Sequence, residues 1–513
     1  MSLLRKALPK ILFVATEAAP FVKAGGLGEV MFALPRSLAK LGYDARVMIP
    51  RYAGIDLEKF TLAMVHEGLT VPTDVEKPTD QEPAELICNV RKYASADESA
   101  RLPVTTYFLE NLEYYEKRSN IYGYGDDAIR WALLCRGVLE FIKHGRDGWR
   151  PDVIVAADWQ TGFLCNYLKN KCKDDPLLAR IAVIFTIHNL YYQGMFDHHF
   201  VSEMDYDDGQ STLPSFFDPR LLKINGMRRG IIHADAVATV SPTYAREIMT
   251  EPYGELLDGL LRERRARVYG VLNGIDYDEF NPATDPYIIE RYGADTFEKR
   301  AKNRHELQSR FGLDQSKSSF LIGIVSRLSE QKGLDLLFPV ADVLLRELKI
   351  QLAVLGAGEG KYMAFFQELE RKYPGRVGAN LSFDPVLNHA VFAGADAVLI
   401  PSKFEPAGLV QLEAMRYGAI PIVRKTGGLA DTVKDHAFSS EGGTGFVFKE
   451  FDSQAMMIAI TRAFENFQSK IMWKSIQKRA MAQDFSWDTS AKEYAHLFDV
   501  ALARHKRDAE KRN

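Results

Sequence analysis

Lys23-Ala24-Gly25-Gly26-Leu27-Gly28-Glu29-Val30 sets a cation beside a glycine turn, between the apolar run Ile11–Ala15 and the apolar-periodic stretch Val30–Leu41. A strand, a glycine turn and a helix in that order aim backbone N–H groups and a positive dipole at one point, a chemistry suited to a phosphate or phosphosugar. A second turn, Thr426-Gly427-Gly428-Leu429-Ala430-Asp431, follows the apolar run Ile420–Val423 and opens another helical pattern. One such turn is equally an ordinary tight connection. Two at matching points of two domains point to a charged small molecule.

Arg327 and Lys332 lie in Ser326-Arg327-Leu328-Ser329-Glu330-Gln331-Lys332-Gly333, just past a strand-like run. Two cations there can neutralise a diphosphate, the arginine as a fork and the lysine as a point charge. A solvated surface loop is the plainer alternative. Glu405 and Glu413 frame Phe404-Glu405-Pro406-Ala407-Gly408-Leu409-Val410-Gln411-Leu412-Glu413. Leu409–Met415 reads as helix, and Pro406 and Gly408 keep Glu405 in the turn before it. Both carboxylates can then accept hydrogen bonds from sugar hydroxyls, although paired glutamates also serve as caps or surface charges. His188, beside Asn189, ends the apolar run Val183–Ile187, and Asp158-Trp159 follows Val153–Ala156. An aspartate near an aromatic ring suits a sugar, while a lone histidine or tryptophan at such a place is often structural.

Short β-branched runs alternating with amphipathic stretches position these groups, the pattern of parallel α/β architecture. The first half predicts strands at Ile11–Ala15, Ala45–Ile49, Val153–Ala156, Val183–Ile187, Ala236–Val240 and Val268–Leu272. The charged stretch Asp74–Arg101 reads as hairpins or loops inserted between core elements, and 281–315 reads as a charged linker. A second series follows at Phe320–Val325, Gln351–Leu355, Val377–Leu381, Ala397–Ile400 and Ile420–Val423. Two successive open sheets imply a crevice lined by the carboxyl ends of both sets of strands. Ser486–Arg504 reads as helix, and the charged tail Arg504–Asn513 is expected to fray.

At 513 residues the chain exceeds what one core usually organises, so two domains are expected. Its 46% apolar and 26% charged residues are those of a soluble globular protein. A net charge of -3, from 65 basic and 68 acidic residues, argues against a general nucleic-acid surface. Cys88, Cys135, Cys165 and Cys172 lack metal-binding spacing and suit a reducing compartment as small apolar side chains. No stretch approaches the roughly 18 apolar residues of a membrane span. A cytoplasmic location is expected.

Together these residues resemble the bacterial glycogen synthase and plant starch synthase family, glycosyltransferase family 5. The matching segments are Lys23–Val30, Ile187-His188-Asn189-Leu190 with Gln193-Gly194, Ser241-Pro242-Thr243-Tyr244-Ala245, Leu272-Asn273-Gly274-Ile275-Asp276, Ser326–Gly333, Phe404–Leu409 and Thr426–Val433. The resemblance implies two Rossmann-like domains facing a central cleft, the GT-B type of fold. Its acceptor-side domain would cover 1–280, with the terminal helix of about 486–513 packing back on it, and its nucleotide-sugar domain 281–485. It implies transfer of glucose from ADP-glucose to the non-reducing-end 4-OH of an α-1,4-glucan, with retention of configuration and without metal or other cofactor. UDP-glucose as donor, another acceptor, or a non-catalytic glucan-binding relative are the alternatives.

The same resemblance distributes roles. Lys23 and the Gly25-Gly26 turn would face the donor, and Glu29 stands where an aspartate is usual. Glu405 would lie beside the donor glucose and Glu413 at the ribose. His188 and Asn189 would hold the transferred sugar, Asp158 would be a sugar-side acid, and Phe383 would stack on the base. Asn273 falls among the substrate-binding positions. Arg327 and Lys332, with the N–H groups after Thr426 at Gly427, Gly428 and Leu429, would replace a divalent cation at the diphosphate.

Overall fold

The computed structural model describes residues 7–93, 104–382, 384–437 and 442–511. The chain divides into two compact units. The first comprises Met1–Val240, Ala245–Val271 and Trp487–Asn513, and the second Ser241–Tyr244 and Leu272–Ser486.

The first unit is built on strands β1 (Ile11–Val14), β2 (Ala45–Pro50), β3 (Ala63–Pro72), β4 (Glu85–Tyr93), β5 (Thr106–Glu110), β6 (Val153–Ala157), β7 (Ala182–Ile187), β8 (Ala236–Thr239) and β9 (Val268–Gly270). They form one sheet in the order β3-β4-β5-β2-β1-β6-β7-β8-β9. From β5 to β9 every pairing is parallel, while β3, β4 and β5 pair antiparallel at one edge. The central strands β1, β6 and β7 are buried along their whole length, as strands covered on both faces must be. The stretch read as inserted hairpins contains β4, which returns along β3.

The second unit carries β10 (Phe320–Val325), β11 (Ile350–Leu355), β12 (Val377–Asn380), β13 (Ala397–Ile400), β14 (Ile420–Arg424) and β15 (Phe446–Phe448). The order is β12-β11-β10-β13-β14-β15, parallel throughout. Both sheets therefore have the doubly wound form expected from the alternating pattern.

The observed boundaries differ from the expected ones where side chains take the chain into a core. Residues 272–280 belong to the second unit, where Ile275 joins its core and its N–H donates to the Phe485 carbonyl at 2.9 Å. The stretch 281–315 is no linker. It forms the helix Arg300–Arg310, and the buried Arg300 guanidinium donates to the carbonyls of Tyr417 (3.1 Å) and Phe392 (3.0 Å). The terminal helix runs Trp487–Glu510, past the point where fraying was expected. His505 Nδ1 lies 3.1 Å from Asp235 Oδ2, and Arg267 donates to Asp508 at 2.7 Å, so its last turns are anchored in the first unit. No helix among the described residues is long and apolar enough to cross a membrane.

Candidate active site

In the second unit the site grows from the carboxyl ends of β10 and β13. After β10 the chain makes a short turn, Glu330–Lys332, that carries Lys332 inward. After β13 the loop 401–409 carries Glu405. Lys332 Nζ donates to Glu405 Oε2 at 2.7 Å, and Ser402 Oγ donates to the same oxygen at 2.8 Å. Ser402 is fully buried and Glu405 nearly so, whereas 18% of the lysine side chain remains exposed. Arg424 steadies the loop by donating to the carbonyl of Lys403 at 2.5 Å. Lys332, Ser402 and Glu405 line an open pocket together with Ser326, Leu334 and Gln411. The buried Ser326 Oγ and Gln411 Oε1 have no hydrogen-bond partner among the described residues, which leaves polar groups in the wall for a ligand.

The second glycine turn packs onto this loop. Gly427 has φ 44°, a left-handed conformation that costs an L side chain energy. A Cβ there would also overlap the carbonyl of Glu405, and one at Gly428 would overlap that of Ala407. Gly428 N–H donates to the carbonyls of Glu405 and Pro406, both at 3.1 Å. Its role thus differs from the expected one, because this N–H supports the Glu405 loop instead of pointing at a phosphate. Thr426 is buried and precedes the helix Gly427–Thr432, in which Leu429 is also buried. Asp431 accepts from the N–H (2.8 Å) and hydroxyl (2.6 Å) of Thr243.

Arg327 is exposed, and its Nη2 donates to Gln331 at 3.4 Å, not to Glu405. Glu413 is partly exposed in the first turn of the helix Val410–Arg416. Asn273 stands outside the Lys332–Glu405 group; it is buried, and its Oδ1 accepts no hydrogen bond among the described residues. Phe383 lies outside the described residues.

In the first unit the remaining residues gather at the carboxyl ends of the adjacent strands β1, β6 and β7. Asp158 directly follows β6 with φ 58°, an uncommon conformation outside glycine that aspartate tolerates better than most. Its Oδ1 accepts from the N–H of His188 at 2.7 Å and of Asn189 at 3.4 Å, tying the end of β6 to the end of β7. Burial pushes the Asp158 carboxyl up to about 7, against the two N–H groups that favour its ionised form. Burial also pushes the His188 imidazole down to about 4, against the pull of the Glu17 carboxylate. His188 is therefore neutral at physiological pH. Thr186 Oγ1 donates to the Ala156 carbonyl at 3.4 Å, and His188 Nε2 lies 3.1 Å from the same hydroxyl. Trp159 is buried and packs edge-on to Phe163, as core.

Around the first glycine turn the structure revises the expectation. The N–H groups of Ala24 and Gly25, expected to await an anion, donate to the Glu17 carboxylate, at 3.1 Å from Gly25. Lys23 pairs with Glu29, which is the carboxylate that replaces the usual aspartate. Glu17 is 3% exposed, and its other oxygen accepts from Tyr122 Oη at 3.3 Å. Sequence reasoning missed Glu17, Ser402 and Tyr122. A carboxylate directly after a buried strand and upstream of a glycine turn was the available signal for the first.

A model of the starch synthase catalytic domain matches residues 10–263, and one of the group 1 glycosyl transferases matches 306–479. The glycogen synthase of Thermotoga maritima is 41% identical over 505 residues, covering 96% of this chain and 99% of the relative. The chain belongs to the bacterial glycogen synthase and plant starch synthase family. Another member, the glycogen synthase of Desulforudis audaxviator, is 39% identical over 506 residues, covering 96% of this chain and 97% of that one. Among solved structures, the catalytic domain of starch synthase IV from Arabidopsis thaliana, bound to ADP and acarbose, matches with a TM-score of 0.82. That match has 28% identity and spans 97% of this chain and 100% of that one. A sucrose-phosphate synthase from Thermosynechococcus elongatus, 17% identical with a TM-score of 0.57, shares the fold. The fold is that of the GT-B glycosyltransferases, and the family membership makes this chain a glucosyltransferase that builds glucan.

Proposed function

We propose that the enzyme transfers glucose from ADP-glucose to the non-reducing-end 4-OH of an α-1,4-glucan, with retention and without a divalent cation. The observation that carries this reading is the Lys332–Glu405 pair set in the wall of the second unit's pocket, with Ser402 on the same carboxylate. A diphosphate leaving group gathers negative charge as the glycosidic bond breaks. Fixed cations placed beforehand stabilise that charge without reorganising. Lys332 supplies one and the exposed Arg327 guanidinium supplies a second, free to fork onto two phosphate oxygens. Glu405 is held by two donors, so it aims Lys332 and accepts a hydroxyl of the donor glucose; it has no nucleophilic role. Glu413 takes the ribose, and attack comes from the leaving-group face.

On the first unit, the neutral His188 and the N–H-bonded Asp158 suit hydrogen bonds to sugar hydroxyls, with Asn189 beside them. Lys23, held by Glu29, and the Gly25-Gly26 turn, filled by Glu17, serve the donor only after exchanging those partners. ADP and acarbose in the Arabidopsis relative support a nucleotide donor and a glucan-like acceptor for this chain. The four cysteines are buried as free thiols, in keeping with a cytoplasmic setting. Purified protein given glycogen and either ADP-glucose or UDP-glucose at equal concentration should release ADP well above the no-enzyme control and faster than UDP. Faster UDP release overturns the donor assignment. Glucan binding with no nucleotide release from either donor overturns the catalytic one.

A further inference from the structure

In the first unit, a group of side chains that the transfer reaction does not use converges where the loop after β7 meets the turn at Glu255. Asp197, His198 and His199 follow one another in sequence, and one ligand atom from each lies within 4.8 Å of the others. Glu255 lies against this group, its Oε2 standing 2.9 Å from His198 Nε2 and 3.2 Å from His199 Nε2. On the far side of its ring, His199 Nδ1 lies 2.9 Å from Asp197 Oδ1, and the His199 N–H donates to the same oxygen at 3.0 Å. Asp197 thus holds both the backbone and the ring of His199. The other ring nitrogen, Nε2, faces the Glu255 carboxylate. A ring nitrogen and a carboxylate oxygen are held at that distance by a cation between them, a proton or a metal ion.

We infer that His198 Nε2, His199 Nε2 and Glu255 Oε2 form a binding site for a zinc-type divalent cation, with Asp197 as the positioning residue behind His199. Tetrahedral zinc with ligands at about 2.0–2.2 Å separates neighbouring ligand atoms by roughly 3.3 Å. The observed 2.9 and 3.2 Å are close to that edge. Imidazole and carboxylate are the donors that zinc and its neighbours prefer over magnesium or calcium. A carboxylate on the distal nitrogen of a ligating histidine is the arrangement that raises its basicity and sets its orientation.

The site is built in advance. Glu255 and Leu256 both have left-handed backbones, φ 48° and 63°, a strained turn that persists only if its surroundings hold it. They do: buried Gln193 donates to the Glu255 carbonyl at 2.7 Å, and buried Asn225 donates to Gln193 at 2.7 Å. His198 is buried, whereas 45% of the His199 side chain is exposed, which leaves an entry path and a fourth position for water. This inference stands on the first unit's geometry, whatever donor the enzyme uses.

The test is a titration of tag-free, chelator-stripped full-length protein with zinc chloride, in competition with a chromophoric chelator. One tight equivalent per chain is expected. His199→Ala and Glu255→Gln should each weaken it at least tenfold. Asp197→Asn should weaken it roughly ten- to a hundredfold with stoichiometry retained. His496→Ala, at an exposed histidine elsewhere, should leave the affinity unchanged. Circular dichroism of each variant in chelator shows whether it is folded, and Glu255→Gln carries the test if a histidine variant is not. Absence of a stoichiometric equivalent overturns the inference. So does an equivalent that survives both His199→Ala and Glu255→Gln.

Discussion

Replacing Lys332 with alanine separates the structural part of the site from its chemistry. The ammonium lies 2.7 Å from a carboxylate that is only 9% exposed. At an effective dielectric of about 20, unit charges at that distance attract by roughly 6 kcal/mol. Desolvation offsets much of this in the intact pair, but removing one partner of a buried pair leaves the other charge stranded, at a cost of about 3–5 kcal/mol. Ser402 still donates to Glu405, and 18% of the lysine side chain is exposed, so about 3 kcal/mol is expected. Lys332→Ala should therefore lower the thermal midpoint clearly, and Lys332→Ala/Glu405→Gln should recover most of it by removing the stranded charge. Turnover behaves differently. A transition-state charge partner is worth at least about a hundredfold, so ADP release should stay low in both variants. A Lys332→Ala protein with normal midpoint and near-normal turnover, or a double variant that regains turnover, would refute the reasoning.

Two further outcomes follow from the same geometry. The folded Asp158 carboxyl titrates at about 7 against an ordinary value near 4, so the folded state holds a proton that the unfolded chain releases. This contribution to stability is complete below pH 4 and lost as pH rises through 7. Asp158→Asn keeps an acceptor for the His188 N–H and removes the titration, so its midpoint advantage over wild type should grow from pH 5 to pH 8; a pH-independent difference counts against the burial argument. Gly428→Ala drives a methyl into the Ala407 carbonyl and should cost about 1–3 kcal/mol in urea unfolding while impairing turnover, and an unaltered urea midpoint would show that the 405–407 loop yields freely.

The parallel cores were legible because strands buried on both faces must be apolar runs, as β1, β6, β7, β10 and β13 are. β3 and β4 were harder to read. They are half-exposed strands at one side of the sheet that carry His66, Glu67, Arg91 and Lys92, so they lack a continuous apolar run. Residue types at the site were legible too, but partners were not. Lys332 and Glu405 are 73 residues apart, and each also suits a phosphate or a sugar by itself. Gly428 reads as a phosphate turn because glycine is required there, yet the requirement comes from a neighbouring backbone. Glu17 on the first glycine turn is the same lesson: a positive helix end takes whichever anion the fold brings nearest, and here that is the protein's own.

The return of the terminal helix to the first unit has a consequence for biosynthesis. Asp235 meets His505 across 270 residues of sequence, and Arg267 meets Asp508 across 241. The second unit, Leu272–Ser486, is thus translated in full before the first unit can receive its final helix. A nascent chain on the ribosome exposes the apolar seat of Trp487, Tyr494, Leu497 and Phe498 until that helix is made. Chaperone engagement should accordingly concentrate on the first unit, and translation stopped just short of Trp487 should yield a second unit that is folded and a first that is not.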